Sequence, residues 1–306
     1  MAAAAYLALL DAIITASFVG WAYSAGFRHT SLFDLGVGCA STAALNVASN
    51  AVLPAVFKAL ALGDDGEEAR KKRYSRFHEM INTLVQMAFF VYVEGGILGK
   101  ETWFDDTKTI WDPNPNPAPA DLRRFYSLNL GCWLTAAVTC RFFEERNKDW
   151  LLMYTHHATS IILVAGSACI GQERIGLMVL FLHHVSDIVL NICQSAHYLG
   201  WDGDHFPMGL PIAEVLFVCN MLCWVCTRLY LFPTKIIWTV VFEMHEDYIC
   251  GGDGAVYCQS LSVLLFVLQA MHIYWFYEMV MVLVKVLTPG VKTGDAASSY
   301  LTERKE

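Results

Sequence analysis

The stretch KDWLLMYTHHATSIILVAGSACIGQERIGLMVLFLHHVSDIVLNICQSAHYL (148–199) decides the fold of this chain. It holds two apolar runs, near 151–171 and 174–199, separated by a turn of a few residues around 171–173. Crossing the hydrocarbon of a bilayer takes about 20 apolar residues as helix, and both runs meet that length. A turn this short forces the two helices to run antiparallel as neighbours. The runs are nevertheless not purely apolar. The first opens with Tyr154, His156, His157, Thr159 and Ser160, and the second carries His183, His184, Ser186, Asp187, Asn191, Gln194 and His197. Ionisable side chains are costly inside a membrane and collect where they line a cavity or a site.

The rest of the chain has the same character. Of its 306 residues 56% are hydrophobic and only 16% charged, against about 25% charged in soluble domains. Mean hydropathy is +0.41. So few charges cannot cover the surface of a water-soluble globule, and Gly 21 with Pro 9 excludes collagen-like and low-complexity classes. The fold class is therefore an all-α polytopic membrane protein. Apolar runs predict spans near 6–26, 32–62, 77–98, 122–143, 151–171, 174–199, 209–231 and 258–288, about seven or eight transmembrane helices. The first run has no Lys or Arg before it, which favours a retained anchor over a cleaved signal peptide. Asp11 sits awkwardly inside it. The run DPNPNPAP (112–119) cannot be helical, because proline lacks the N–H donor and clashes with the preceding turn. No internal repeat and no second soluble domain is legible.

Basic residues set the expected orientation. The alternate connections 63–76, 144–150 and 200–208, with the C-terminal tail, hold Arg70, Lys71, Lys72, Arg73, Arg76, Arg146, Lys148, Lys292, Arg304 and Lys305. The opposite set holds only Arg28, Lys100, Lys108 and Lys235. By the positive-inside rule the first set and both termini are cytosolic. RKKRYSR (70–76) then reads as a topology determinant rather than a nuclear signal. The formal net charge of -8 argues against nucleic acid as a partner.

What chemistry suits the polar residues? His183 and Asp187 are four apart and share a helical face, which Asn191 and Gln194 continue. His156 and His157 lie about 10 Å below the cytosolic end, and Asp187 about 18 Å from the same side. A histidine acts as a base or an acyl-accepting nucleophile, and a carboxylate orients its ring. A buried His–Asp set under a cytosolic opening suits acyl transfer onto an amine or hydroxyl held in the bilayer. The plainer alternative is that these groups hydrogen-bond helices together. Metal chemistry is disfavoured, because neither HH pair has another histidine three or four positions away. Cys132, Cys140, Cys169 and Cys193 lie in apolar runs, where a thiol behaves as a small hydrophobe. Cys219, Cys223 and Cys226 share a face with no histidine or acid to complete a metal set.

In this order the residues resemble ceramide synthases, TLC-domain proteins of the longevity-assurance family. Their pattern is approximately HHxxT, a turn, then HDxSDxxLExxK and an asparagine–tyrosine pair. Arg76, Phe77 and Glu79 resemble the start of that family's first core helix, and ETWFDDTKTIWDPNP (101–115) its Trp-containing lumenal loop. TRLYLFP (227–233) and LQAMHIYWF (268–276) resemble its last two spans, and ALNVASNAVLPAVFKALALG (44–63) the helix before the core. The resemblance implies N-terminal helices over 1–65, a six-helix TLC core over 66–289 and a cytosolic tail over 290–306. It implies residence in the endoplasmic reticulum membrane. The implied reaction joins a fatty acyl group from acyl-CoA to the amine of a sphingoid base, with no cofactor and no metal. His156, His157 and Asp187 match its catalytic positions, with His156 preferred for covalent acyl transfer. His183, His184, Asn191, Arg228, His272 and Trp275 are implied to contact substrate. Besides acyl-CoA, sphingoid base and the lipid bilayer, a homodimer is left open as an assembly.

The departures matter. The family's first aspartate of the acidic motif is His184 here, its glutamate is Asn191, its lysine Gln194 and its asparagine His197. If imidazole stands in for the missing acid, His184→Asp is expected to retain or raise activity. The altered motif also lends weight to a non-enzymatic TLC protein that senses, binds or moves lipid; a histidine–metal lipid oxidase is the third reading. Cys250 and Cys258 fall in the expected lumenal connection, the oxidising side. They are expected to close the loop GGDGAVY by a disulfide, visible as a mass difference of that peptide between reducing and non-reducing conditions; two free thiols would show none.

Overall fold

The computed structural model describes residues 2–24, 29–63, 66–111, 118–144, 146, 149–203, 210–244 and 254–287. Among these residues there are eight helices and no strand. They are α1 (Ala2–Ser24), α2 (His29–Leu60), α3 (Glu67–Leu98), α4 (Ala120–Phe142), α5 (Trp150–Cys169), α6 (Glu173–Tyr198), α7 and α8 (Gly254–Leu287). A short 3-10 turn, Thr107–Trp111, follows α3. Helix α7 is composite: an α-helical segment Ile212–Trp224, a π-helical segment Val225–Ile237 and a final α-helical turn Trp238–Phe242. Six of the eight are long and apolar enough to cross a membrane by length and composition. Helices α4 and α5 are not among the six; their apolar runs are broken by polar groups such as Asn129 and Arg141, and by Tyr154, His156 and His157. The chain is an all-α, multi-pass membrane protein.

Two expected boundaries shift. The run RKKRYSR is not part of a connection, since α3 already begins at Glu67. Arg73 there reaches across the helix ends, its Nε donating to the Tyr198 carbonyl at 2.9 Å and its Nη2 to that of Leu62 at 2.9 Å. The seventh span does not stop at 231 but continues to Phe242. Pro233 lies inside this continuation. The π-helical register carries the chain past that residue, relaxing the clash with the i−4 carbonyl. Cys250 lies outside the described residues, as does the side chain of Cys258, so the expected disulfide falls there.

Chain reversal between α5 and α6 depends on Gly171. Its φ of 71° lies in the left-handed region that favours glycine. The Gln172 N–H donates to the Ser167 carbonyl at 2.7 Å, closing a Schellman-type cap. The two His-bearing helices therefore meet as antiparallel neighbours.

Packing pairs α3 with α6, α2 with α4, and α1 with α5. Asp11, the misfit of the first run, finds its partners in that last pair and in α4: it accepts a hydrogen bond from the Tyr154 hydroxyl and lies 3.4 Å from Nε of Arg141. Asp34 similarly joins α2 to α4 through Arg124, at 3.1 Å. Two glycines let α2 and α4 cross at backbone contact. A Cβ on Gly38 would stand 2.1 Å from the Leu128 carbonyl oxygen, and one on Gly131 would stand 2.2 Å from that of Leu35. Small residues at such crossings replace the hydrophobic driving force that lipid removes. Gly131→Val is expected to lower stability in detergent by about 1–3 kcal/mol through overpacking. Gly36→Ala, which meets nothing within 4 Å, should leave the melting temperature nearly unchanged.

Candidate active site

Four helices deliver imidazoles or their partners to one region. His156 and His157 sit on α5, about two turns from its N-terminus. His183 lies near the middle of α6 and His272 in the second half of α8. The His156 ring is 6.0 Å from His157, 6.4 Å from His183 and stacked at 18° to it. His183 in turn lies 4.9 Å from the His272 ring, with the two Nε2 atoms 3.0 Å apart. A line of imidazoles thus runs from α5 through α6 to α8.

Aromatic side chains wall this line. Trp133 of α4 packs 5.7 Å from His156 and 5.6 Å from His157, and Trp275 stands edge-on to His156 at 5.4 Å. Phe232 of α7 closes the far side against His183 and His272. Nδ1 of both His156 and His157 is buried without a hydrogen-bond partner, so neither ring is held by the protein at that nitrogen. His183 differs. Its Nδ1–H donates to the Val179 carbonyl at 2.7 Å, which leaves Nε2 as the acceptor of a neutral ring facing His272.

Arg228, only 2% exposed, organises the other side. Its Nε donates to Ser186 Oγ at 2.7 Å, and Nη2 donates to the His183 carbonyl at 3.2 Å and to the Asp187 carboxylate. Nη1 lies 3.2 Å from His272 Nε2, and the guanidinium covers the Trp224 ring at 4.5 Å. The planar fork suits this many-partner role, as a lysine point charge would not.

The structure brings together His156, His157, His183, Arg228, His272, Trp275 and Asp187. The bond of Asp187 goes to Arg228, whereas the sequence reading paired carboxylate with imidazole. Asn191 is buried, but its Nδ2 donates to the Asp187 carbonyl at 2.6 Å and stays on its own helix. His184 points elsewhere: its Nδ1 lies 2.8 Å from Glu94 Oε1 on α3. Glu94 was not among the expected residues, although a lone acid within the apolar stretch FFVYVEGGIL (89–98) carried the same signal as the others. Trp133 carried none, since an aromatic in a span is ordinary.

A cavity opens beside the imidazoles. It comprises about 730 Å³ of non-atom space, open solvent at its mouth included, and its walls include Trp133, Ser160, His183, Val240, Met244 and Leu261. Most of its lining is apolar. Tyr126, its hydroxyl 2.7 Å from Ser167 Oγ, is among the polar residues of its wall, with Ser160, Gln172 and Ser262. Gly176 makes room for that hydroxyl, which a Cβ there would meet at 1.7 Å. Among the described residues no group of three or more His, Cys, Asp or Glu is arranged to hold a metal ion. The arrangement offers nucleophilic or basic nitrogens beside a largely apolar cavity.

Residues 74–281 match the family model of the TLC domain. The chain is 29% identical over 234 residues to "Ceramide synthase 1 LOH3" of Arabidopsis thaliana, covering 73% of each protein. It is 32% identical to "Ceramide synthase 4" of Mus musculus over 66% of this chain and 48% of that protein. It is 28% identical to "Ceramide synthase 5" of Homo sapiens over 68% and 50% respectively. The chain thus spans about half the length of these two animal relatives.

Arg228→Leu leaves the half-buried Asp187 carboxylate without its guanidinium partner. It is expected to cost about 3 kcal/mol of stability, by analogy with broken buried pairs. Adding Asp187→Leu should recover part of that loss, which a thermal-unfolding double-mutant cycle in detergent measures.

Proposed function

Because the chain belongs to the TLC-domain family, we propose that it is a ceramide synthase, transferring a fatty acyl group from acyl-CoA to the amine of a sphingoid base within the membrane. One observation carries the reading: His156, flanked by His157, Trp133 and Trp275, stands where His183 begins the lining of the apolar cavity. An acyl chain in that cavity places its thioester carbonyl among the imidazoles. The names of the relatives and the order of the HH and SD cores along the chain support the same reaction.

The chemistry divides into two steps. A ring nitrogen of His156 attacks the thioester carbonyl; an N–C bond forms, the C–S bond breaks and the CoA thiolate leaves with one proton. The sphingoid amine then attacks the acyl-imidazole, the amide C–N bond forms and the imidazole–acyl N–C bond breaks, while the amine proton passes through a neighbouring base back to the departing His156 ring. Splitting the transfer this way lets CoA leave before the amine arrives. His157 assists His156. His183, its Nδ1 already committed to Val179, and His272 offer the adjoining base. Arg228 and Asp187 hold α6, α7 and α8 in register around it. The basic-rich end of the bundle faces the cytosol, the source of acyl-CoA, with the protein in the endoplasmic reticulum membrane.

Purified protein supplied with sphinganine and a panel of acyl-CoAs of different length is expected to yield the corresponding amides. His156→Ala should lower turnover by about 10²-fold or more, in the range of general acid–base and nucleophilic contributions, and His157→Ala should lower it clearly as well. Absence of amide from every donor with the unaltered protein overturns the reading.

A further inference from the structure

Glu94 and His184 form a pair with no access to solvent. Both are 0% exposed, and His184 Nδ1 lies 2.8 and 3.0 Å from the two carboxylate oxygens. Phe90, one turn earlier on α3, seals the pair with its ring 5.0 Å from the imidazole. An isolated carboxylate in such surroundings is very costly, and it persists only beside a hydrogen-bonding partner. Each group here answers the other. With Nδ1 directed at the acid, His184 is left with Nε2, which is buried and unpartnered.

The position of this pair is as informative as its burial. His184 follows His183 directly, and Ser186 and Asp187 lie within the next turn. Side chains of this single turn of α6 therefore point in two directions. His183, Ser186 and Asp187 engage His272 and Arg228 on α8 and α7, while His184 is anchored to α3. Of the titratable groups on packed elements, Tyr126 of α4 is within electrostatic reach of Glu94 and bonded to Ser167, while Arg228 and Asp187 pair with each other. Besides this pair, α3 and α6 meet at many other positions along their length.

We propose that Glu94 is a positioning residue of the reaction centre: α3 delivers the carboxylate that α6 lacks at position 184, and the buried pair fixes the turn 183–187. The inference rests on the acyl-transfer reading of the site. It also reverses the expectation for His184→Asp. That change sets two carboxylates face to face in a dry contact, so activity should fall rather than hold or rise.

Four variants test it, each first checked for a monodisperse elution in detergent. Glu94→Gln is expected to reduce kcat at least about tenfold, with KM for sphinganine and acyl-CoA changed less than about twofold. His184→Asp should be comparably impaired. Combining Glu94→Gln with His184→Asp restores a single acid, now on α6 and accepting from the amide, and should recover most of the lost kcat. Glu94→Leu with His184→Leu should fold, since apolar replacement of a buried pair is often neutral or stabilising, and should remain slow. Full turnover in Glu94→Gln or in the double-leucine variant would make the pair mere helix glue and overturn the inference. So would a combined Glu94→Gln, His184→Asp variant no faster than His184→Asp alone. If the unaltered protein makes no amide from any donor, the acyl-transfer reading itself falls and takes this one with it. A turnover-competent protein indifferent to Glu94 removes only the latter.

Discussion

A guanidinium that cannot reach water has to find its acceptors inside the protein, and Arg228 governs the site for that reason. Its donors go to Ser186, the His183 carbonyl and Asp187, and its face to Trp224. Each partner sits on a defined turn of α6 or α7, so satisfying one charge fixes the mutual rotation of two helices and places His272 of α8 beside them. In hydrocarbon the alternative to this satisfaction is a stranded charge, which is why one side chain constrains so much. The π-helical stretch of α7 belongs to the same constraint. It keeps Arg228, Phe232 and Ile236, at intervals of four, all buried on the inner side.

The same reasoning accounts for the polar residues elsewhere in the bundle. Asp11 meets Tyr154 and Arg141, Asp34 meets Arg124, and Glu94 meets His184. Each is a carboxylate in an apolar helix whose partner lies on another helix. Together they join α1 to α4 and α5, α2 to α4, and α3 to α6. The bundle is held by such matched pairs and by glycine crossings, because lipid gives apolar side chains little reason to prefer one another. Within this frame the cavity stays largely apolar, with His183 among its walls.

Much of this was legible along the chain. Apolar run lengths placed the helices, and the short turn at Gly171 made α5 and α6 neighbours. The two HH pairs marked the region of the site, since histidines are too costly in a membrane interior to be incidental. Less was legible where a residue's meaning depended on another helix. Asp187 shares a helical face with His183, which suggested a carboxylate–imidazole pair, but Arg228 arrives from α7 and takes the carboxylate. Asn191, on the same stripe, turns back to its own backbone. Asp11 looked like a flaw in a span until Tyr154 and Arg141 stood opposite it.

By itself, then, the sequence determined the solvent, the number of helices and the residues too polar to be there by accident. It could do so because burial in lipid is a property of each residue in its own helix. Only the tertiary structure decided the partners. His184 reads along α6 as an acid lost from a motif, whereas in the folded bundle it meets the acid supplied by Glu94 from α3, 90 positions earlier. Hydrogen bonds between helices depend on rotation and register, which arise from packing and are written in no single stretch of the chain.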